Sequence, residues 1–245
     1  MREAVIVSTA RTPIGKAFRG AFNDTQAQEM AGHAIAEAVK RSKVSKEEID
    51  DVIIGAAGQQ GSQQGNIARQ SLLRAGLPVS VAGMSLDRQC ASGMMAIATA
   101  AKEITEDGMT ITVGGGVESV SLVRNENFRM DRARDPWLEE NIPSLYMTMI
   151  ETAENVAKRY GISRESQDEY SLQSQMRTAK AQQNGYMDKE IVPLKSTMKY
   201  KDKETGEISS HDVCIEKDEG NRPSTTLEGL SALKPVFKDG IYLKE

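Results

Sequence analysis

"MSLDRQCASGMMAIATAAKEI" spans residues 84–104 and holds Cys90, one of only two cysteines in this 245-residue chain. Met84 to Asp87 closes a short β-prone run, and from Cys90 the chain carries no charge until Lys102. A helix that is small or apolar on every side is a buried one. The stretch therefore predicts a strand that turns into a central helix packed between sheets, with Gly93 and the alanines permitting close backbone approach. Met94 and Met95 read as core filling rather than as soft metal ligands. An unpaired cysteine among apolar residues is ordinarily a small buried hydrophobe. Cys90, however, falls at the first turn of its helix, where free N–H groups and partial positive charge favour a thiolate.

Outward from this stretch, strand-like and helix-like signals alternate. "AVIVST" (4–9) reads as a short strand. Thr25 with Gln28 resembles a capping box before an amphipathic helix carried by Ala27, Met30, Ala31, Ala34, Ile35, Ala38 and Val39. Ser45 with Glu48 precedes the apolar run "DVIIG", and "NIARQSLLRAG" reads as a helix closed by Gly76. "VSVAGMSLD" and "MTITVGGG" are further strands. Strands separated by helices of this length indicate βαβ units, so the fold class is α/β with a mixed, mostly parallel sheet. Gly114 to Gly116 lack the endings of phosphate or dinucleotide loops, and a tight turn with close packing is the better reading.

Beyond about residue 118 the chain becomes more charged. "ETAENVAKRYG" places Ala153, Val156, Ala157 and Tyr160 on one helix face, and a second helix runs from a Ser163 cap to a Gly185 stop. "STMKYKDKETGEISSHDVCIEKD" reads as a hairpin around a Thr-Gly turn. His33 lies off the apolar stripe of its helix, His211 sits on the hairpin surface, and Cys214 is a structural thiol. Arg124, Arg129, Arg132 and Arg134 read as a solvated, partly salt-bridged face. The division expected is a core over 1–119, a helical and hairpin insertion over 120–232, and a return to the core over 233–245.

The net charge of −4 and a pI near 5.5 offer no global field for nucleic acid or an anionic membrane. The first apolar run ends too soon for a signal peptide or a spanning helix, which points to a cytoplasmic protein. Two distant cysteines support neither a disulfide framework nor a zinc site, so no metal is expected. What remains is a thiol at a helix N-terminus, whose neighbouring N–H groups can hold an oxyanion while the thiolate attacks a carbonyl.

"ARTPIGKAFRGAF" (10–22), "GNIARQ" (65–70), "DRQCASGMMAI" (87–97), "GGGVES" (114–119), "TAENVA" (152–157) and "RPSTTLEGLSALKPVF" (222–237) stand in the order seen in thiolases, and the resemblance spans nearly the whole chain. It implies an acetyl-CoA acetyltransferase or 3-ketoacyl-CoA thiolase. Cys90 would take the acyl group as a thioester, its backbone N–H would serve an oxyanion hole, and kinetics would be ping-pong. Arg222 matches an arginine near bound CoA, and Met149 matches a methionine lining the acyl pocket. Acyl-CoA and CoA are then the substrates, with no further cofactor.

Thr148-Met149-Ile150 stands where acetyl-selective thiolases resemble His-Met-Gly, which tilts the expectation toward 3-ketoacyl substrates. The resemblance also implies a second half bearing Gly-His-Pro, Cys-Gly-Gly-Gly and Asn-Glu-Ala-Phe motifs, none of which occurs here. The expectation is the N-terminal portion of a thiolase, nearly inactive alone, that self-associates as a homo-oligomer or joins a chain bearing the rest. A decarboxylating condensing enzyme and a non-catalytic acyl-CoA-binding or interaction fragment are the competing readings. "ARTPIGKAFRG" favours thiolases over condensing enzymes.

Overall fold

The computed structural model describes residues 2–236. They fall into two compact units, Met1–Phe128 with Met187–Gly220, and Arg129–Tyr186 with Asn221–Glu245. The expected return to the core over 233–245 lies, from residue 237 on, outside the described residues.

In the first unit α1 (Ala27–Ser42), β1 (Asp51–Gly55), α2 (Ile67–Arg74), β2 (Ala82–Leu86), α3 (Ser92–Thr105), β3 (Thr112–Gly116) and the single turn α4 (Val120–Val123) follow in order. The strands form a parallel sheet of order β2-β1-β3, with Ile53 of β1 aligned to Met84 and Gly114. Helical crossovers between successive strands require this parallel arrangement. Alternation along β1 sorts its side chains. Val52 and Ile54 pack with Ile35, Ile67 and Leu72 of α1 and α2, while Ile53 packs with Ala96 and Ala100 of α3. Helices thus cover both faces of the sheet.

The second unit begins with α5 (Pro136–Asn141), α6 (Met149–Tyr160) and α7 (Arg164–Gln183). Ser163 caps α7 by accepting the Ser166 N–H, and Gly185 adopts positive φ just past its end. The chain then supplies β4 (Leu194–Lys201) and β5 (Ile208–Ile215), the expected antiparallel hairpin, to the first unit. Asn23 holds this hairpin by exchanging two hydrogen bonds with the Lys199 backbone, at 2.7 and 2.9 Å. The single-turn helix α8 (Leu227–Ser231) belongs to the second unit.

Besides the glycine run, three expectations are corrected. Residues 4–9 form no strand, and Val5, Ile6 and Val7 remain 71%, 77% and 68% exposed. Their β propensity is real, but a strand exists only with a hydrogen-bonded neighbour, and β3, the last strand of the sheet, pairs only with β1. Thr25 does not cap α1. Its hydroxyl lies 2.5 Å from Ser196 Oγ on the hairpin, and Gln26 stands at the N-cap without a side-chain bond. Finally, α3 is buried on one face only, since Met94 and Ile97 are 72% and 47% exposed. Within this chain the sheet covers one side of α3 and no element among the described residues covers the other.

The glycine run lies inside β3 rather than in a turn, and close packing is its purpose. A Cβ on Gly114 would sit 2.8 Å from Ile97 Cα, and one on Gly116 would sit 2.9 Å from Gly93 Cα. On the buried face of α3, Glu103 has its Oε2 lacking any partner. Burial pushes its carboxyl above the usual range, and the charges of Asp51 and Asp107 add to the effect. A carboxyl whose pKa is raised by folding holds its proton more tightly when folded, so stability declines as pH rises through that raised value. Glu103→Met should remove this decline and stabilise the chain by about 1 kcal/mol at neutral pH. Urea midpoints at pH 4.5 and 7.5 check it: the variant's advantage should be present at the higher pH and shrink at the lower.

Candidate active site

Cys90 sits in a tight turn between the end of β2 and the first residue of α3, and its side chain is exposed. The turn is built by its neighbours. Asp87 accepts the Gln89 N–H at 2.7 Å, an Asx-type bond that starts the turn. Gln89 then takes φ 49°, a left-handed conformation uncommon outside glycine. Its carbonyl accepts both the Ser92 hydroxyl (2.6 Å) and the Ser92 N–H (3.0 Å), while Ser92 Oγ accepts the Arg88 N–H at 2.8 Å. The buried Ser92 therefore ties both sides of Cys90 together, and the strained residue precedes the thiol directly.

α3 opens without a side-chain cap. Among the described residues, the N–H groups of Gly93 and Met94 have no acceptor. A helix N-terminus left open beside an exposed thiol can bind a developing oxyanion next to a nucleophile. The close approach of Gly55 to Ser92 and of Gly116 to Gly93 lowers the start of α3 onto the strand ends, which fixes where this turn points.

The other sequence motifs of the first unit anchor loops. Asn66, itself at φ 65°, accepts the Arg69 N–H to cap α2 and donates to the Gly83 carbonyl at 2.8 Å. Glu118 accepts the N–H groups of Ala57 (2.9 Å) and Gly58 (3.2 Å) and the Gln63 amide (2.7 Å). In "ARTPIGKAFRGAF", Arg11 forks onto Asp218 at 2.7 and 3.0 Å and reaches Glu190 at 2.7 Å. Glu219 accepts the N–H groups of Lys16 and Ala21, both at 3.1 Å. Burial opposes ionisation of Asp218, but its bonds to Arg11 and to the Ile14 N–H hold the carboxyl below the usual range.

Met149 and Arg222 belong to the second unit. Met149 is the first residue of α6 and is 75% exposed. Thr148 before it is the N-cap, exchanging bonds with Glu151 in a full capping box. Arg222 is exposed. Its N–H donates to Gln175 Oε1 at 2.8 Å and its carbonyl accepts the Thr225 hydroxyl at 2.7 Å, so the backbone is fixed and the guanidinium is free to meet solvent.

Neither histidine bonds to Cys90. The His33 ring nitrogen meets the Pro193 carbonyl at 3.0 Å, and His211 meets Ser209 at 2.9 Å with its ring edge-on to Tyr200. Asp87 and Ser92 are the positioning residues that the sequence reading missed. The Asp87 signal was legible, because an Asp two residues before a non-helical residue is an Asx-turn pattern.

Comparison with known proteins finds one family along nearly the whole chain. The model of the family "Thiolase, N-terminal domain" matches residues 4–241. A 3-ketoacyl-CoA thiolase of Bacillus subtilis (strain 168) is 39% identical over 239 residues, covering 97% of this chain and 60% of that protein. A beta-ketoadipyl-CoA thiolase of Pseudomonas putida is 38% identical over 251 residues, with 96% and 60% covered. A crystal structure of the Bacillus anthracis acetyl-CoA acetyltransferase superposes with a TM-score of 0.78 at 37% identity, covering 98% of this chain and 60% of that one. The chain thus spans about 60% of the length of these relatives. No described helix is long and apolar enough to cross a membrane.

Proposed function

The chain belongs to the thiolase family, and from that premise we propose that it is an acyltransferase whose Cys90 accepts an acyl group from acyl-CoA or 3-ketoacyl-CoA. One observation carries the reading: an exposed thiol held by the Asp87–Ser92 turn at an uncapped helix start with unsatisfied N–H groups. The thiolate attacks the thioester carbonyl, the oxyanion settles toward the N–H groups at the start of α3, and collapse expels the CoA thiolate. The acyl group stays on sulfur as a thioester until a second thiol or carbon nucleophile removes it. For a 3-ketoacyl substrate, the bond that breaks is the one between the α and β carbons, and the leaving group is acetyl-CoA after it takes up a proton.

Met149 and Arg222 are assigned to the acyl chain and to CoA on the strength of their motif positions. No cofactor beyond the CoA thioesters is invoked. Among the described residues neither histidine bonds to Cys90, so no imidazole base is hydrogen-bonded to the thiol. A positioned general acid or base contributes about a hundredfold to ten-thousandfold. This chain alone should therefore run the first half-reaction slowly and turn over poorly, unless it associates with copies of itself or with a chain that supplies the missing groups.

The test is chromatographic measurement of free CoA released from acetyl-CoA. The expected trace is a burst approaching one CoA per chain, followed by a much slower phase. Absence of any release would favour the non-catalytic, acyl-CoA-binding reading.

A further inference from the structure

The end of α7 holds a chemically reactive pair of residues in an unreactive shape. Asn184 stands at the C-cap with φ −81° and ψ 0°, exposed to solvent, and Gly185 follows at φ 68°. The Gly185 N–H donates to the Gln182 carbonyl and the Tyr186 N–H to the Ala181 carbonyl, both at 3.1 Å. These are the paired bonds by which a left-handed glycine closes a helix. The Asn184 side-chain amide takes part in neither. Asn184-Gly185 is the sole Asn-Gly pair of the sequence, and every other asparagine is followed by a larger residue. A glycine carries no side chain to crowd its own nitrogen, so that nitrogen can close a succinimide ring on Asn184 Cγ.

We propose that Asn184 is a site of spontaneous covalent modification, deamidating through a succinimide when the end of α7 opens. The Gly185 nitrogen gives its proton to hydroxide and attacks Asn184 Cγ. A new C–N bond forms, the bond from Cγ to the side-chain nitrogen breaks, and ammonia leaves with a proton from water. Water then opens the ring at one carbonyl or the other, giving aspartate or isoaspartate. Nothing is oxidised or reduced. The closed helix end withholds this step in two ways. The attacking N–H is bonded to Gln182, and ψ 0° sets Asn184 Cβ about a third of a turn away from the nitrogen that the ring must bring beside it. Ring closure therefore waits for fraying of the last turn, an opening of low free energy at a helix end. The product does not restore the cap. Its new carboxylate lies at the negative end of the helix dipole, and isoaspartate lengthens the backbone between the two bonded N–H groups and α7. The change falls just before Met187, where the chain passes from the second unit to the first. Acyl transfer plays no part in it.

The test is peptide mapping by mass spectrometry during prolonged incubation of the intact chain at mildly alkaline pH, beside a synthetic peptide of residues 179–189. Asn184 should be the first asparagine of the chain to convert, and the rate should climb with pH because the attacking nitrogen must lose its proton. The two capping bonds should hold the intact chain's rate at least about tenfold below the peptide's. Tyr186→Pro leaves the reacting pair in place but removes the N–H bonded to Ala181 and disfavours the helical shape of Gly185. Tyr186 is 75% exposed, so the core is untouched. This variant should react about tenfold faster than the parent chain, while the same change in the peptide should alter its rate little. Earlier conversion at another asparagine, an intact chain that reacts as fast as the peptide, or a Tyr186→Pro chain with an unchanged rate would overturn the proposal.

Discussion

Gly55→Ala is expected to destabilise the chain by about 3 kcal/mol or more and to loosen the turn that carries Cys90. Gly55 ends β1, and a Cβ there would overlap the backbone of Ser92 and Gly93 at the start of α3. Backbone cannot give way as a flexible side chain does. On the far side Gly116 faces Gly93 in the same manner, and Gly55 O accepts the Val117 N–H at 3.0 Å, so the strand end is fixed from both directions. α3 must lift or the sheet must open, and either exposes Ile53, Ala96 and Ala100. Urea denaturation reads the loss. Gly220→Ala, at a glycine with open space around it, is the matched control and should fall within about 0.5 kcal/mol of the parent.

Cys90→Ser should leave stability within about 0.5 kcal/mol, because the side chain is exposed, and should cut acyl acceptance by a factor on the order of a thousand or more. A serine hydroxyl is intrinsically a far weaker nucleophile than a thiol, and neither histidine bonds to this turn to take its proton. The CoA burst should vanish in this variant while the urea midpoint stays put. A burst that survives would move the nucleophile elsewhere in the chain.

The crossover pattern was legible because each of β1, β2 and β3 is a short apolar run fenced by helical periodicity, and a parallel sheet is the arrangement such spacing allows. The hairpin showed in its Thr-Gly turn, where Gly206 takes φ 74°. Residues 4–9 misled because propensity is local and pairing is not. Thr25 misled for a related reason: a hydroxyl near a helix start binds whatever lies within reach, and the hairpin brought Ser196 to it from 171 residues away. The purpose of Gly55 was invisible as well. The sequence shows a glycine after an apolar run, and only packing shows that α3 rests on it. Cys90 was legible as a thiol at a helix start, while Ser92, the residue that holds its turn from within, looks in sequence like one more small residue of an apolar helix.

The most direct measurement is peptide-level mass spectrometry of the chain after brief exposure to acetoacetyl-CoA. Cys90 and Cys214 are both exposed free thiols, so Cys214 is an internal control for indiscriminate acylation. Acyl transfer at the Asp87–Ser92 turn predicts an acetyl group on the peptide containing Cys90 and none on the peptide containing Cys214. Equal labelling of the two thiols, or labelling of Cys214 alone, would contradict it.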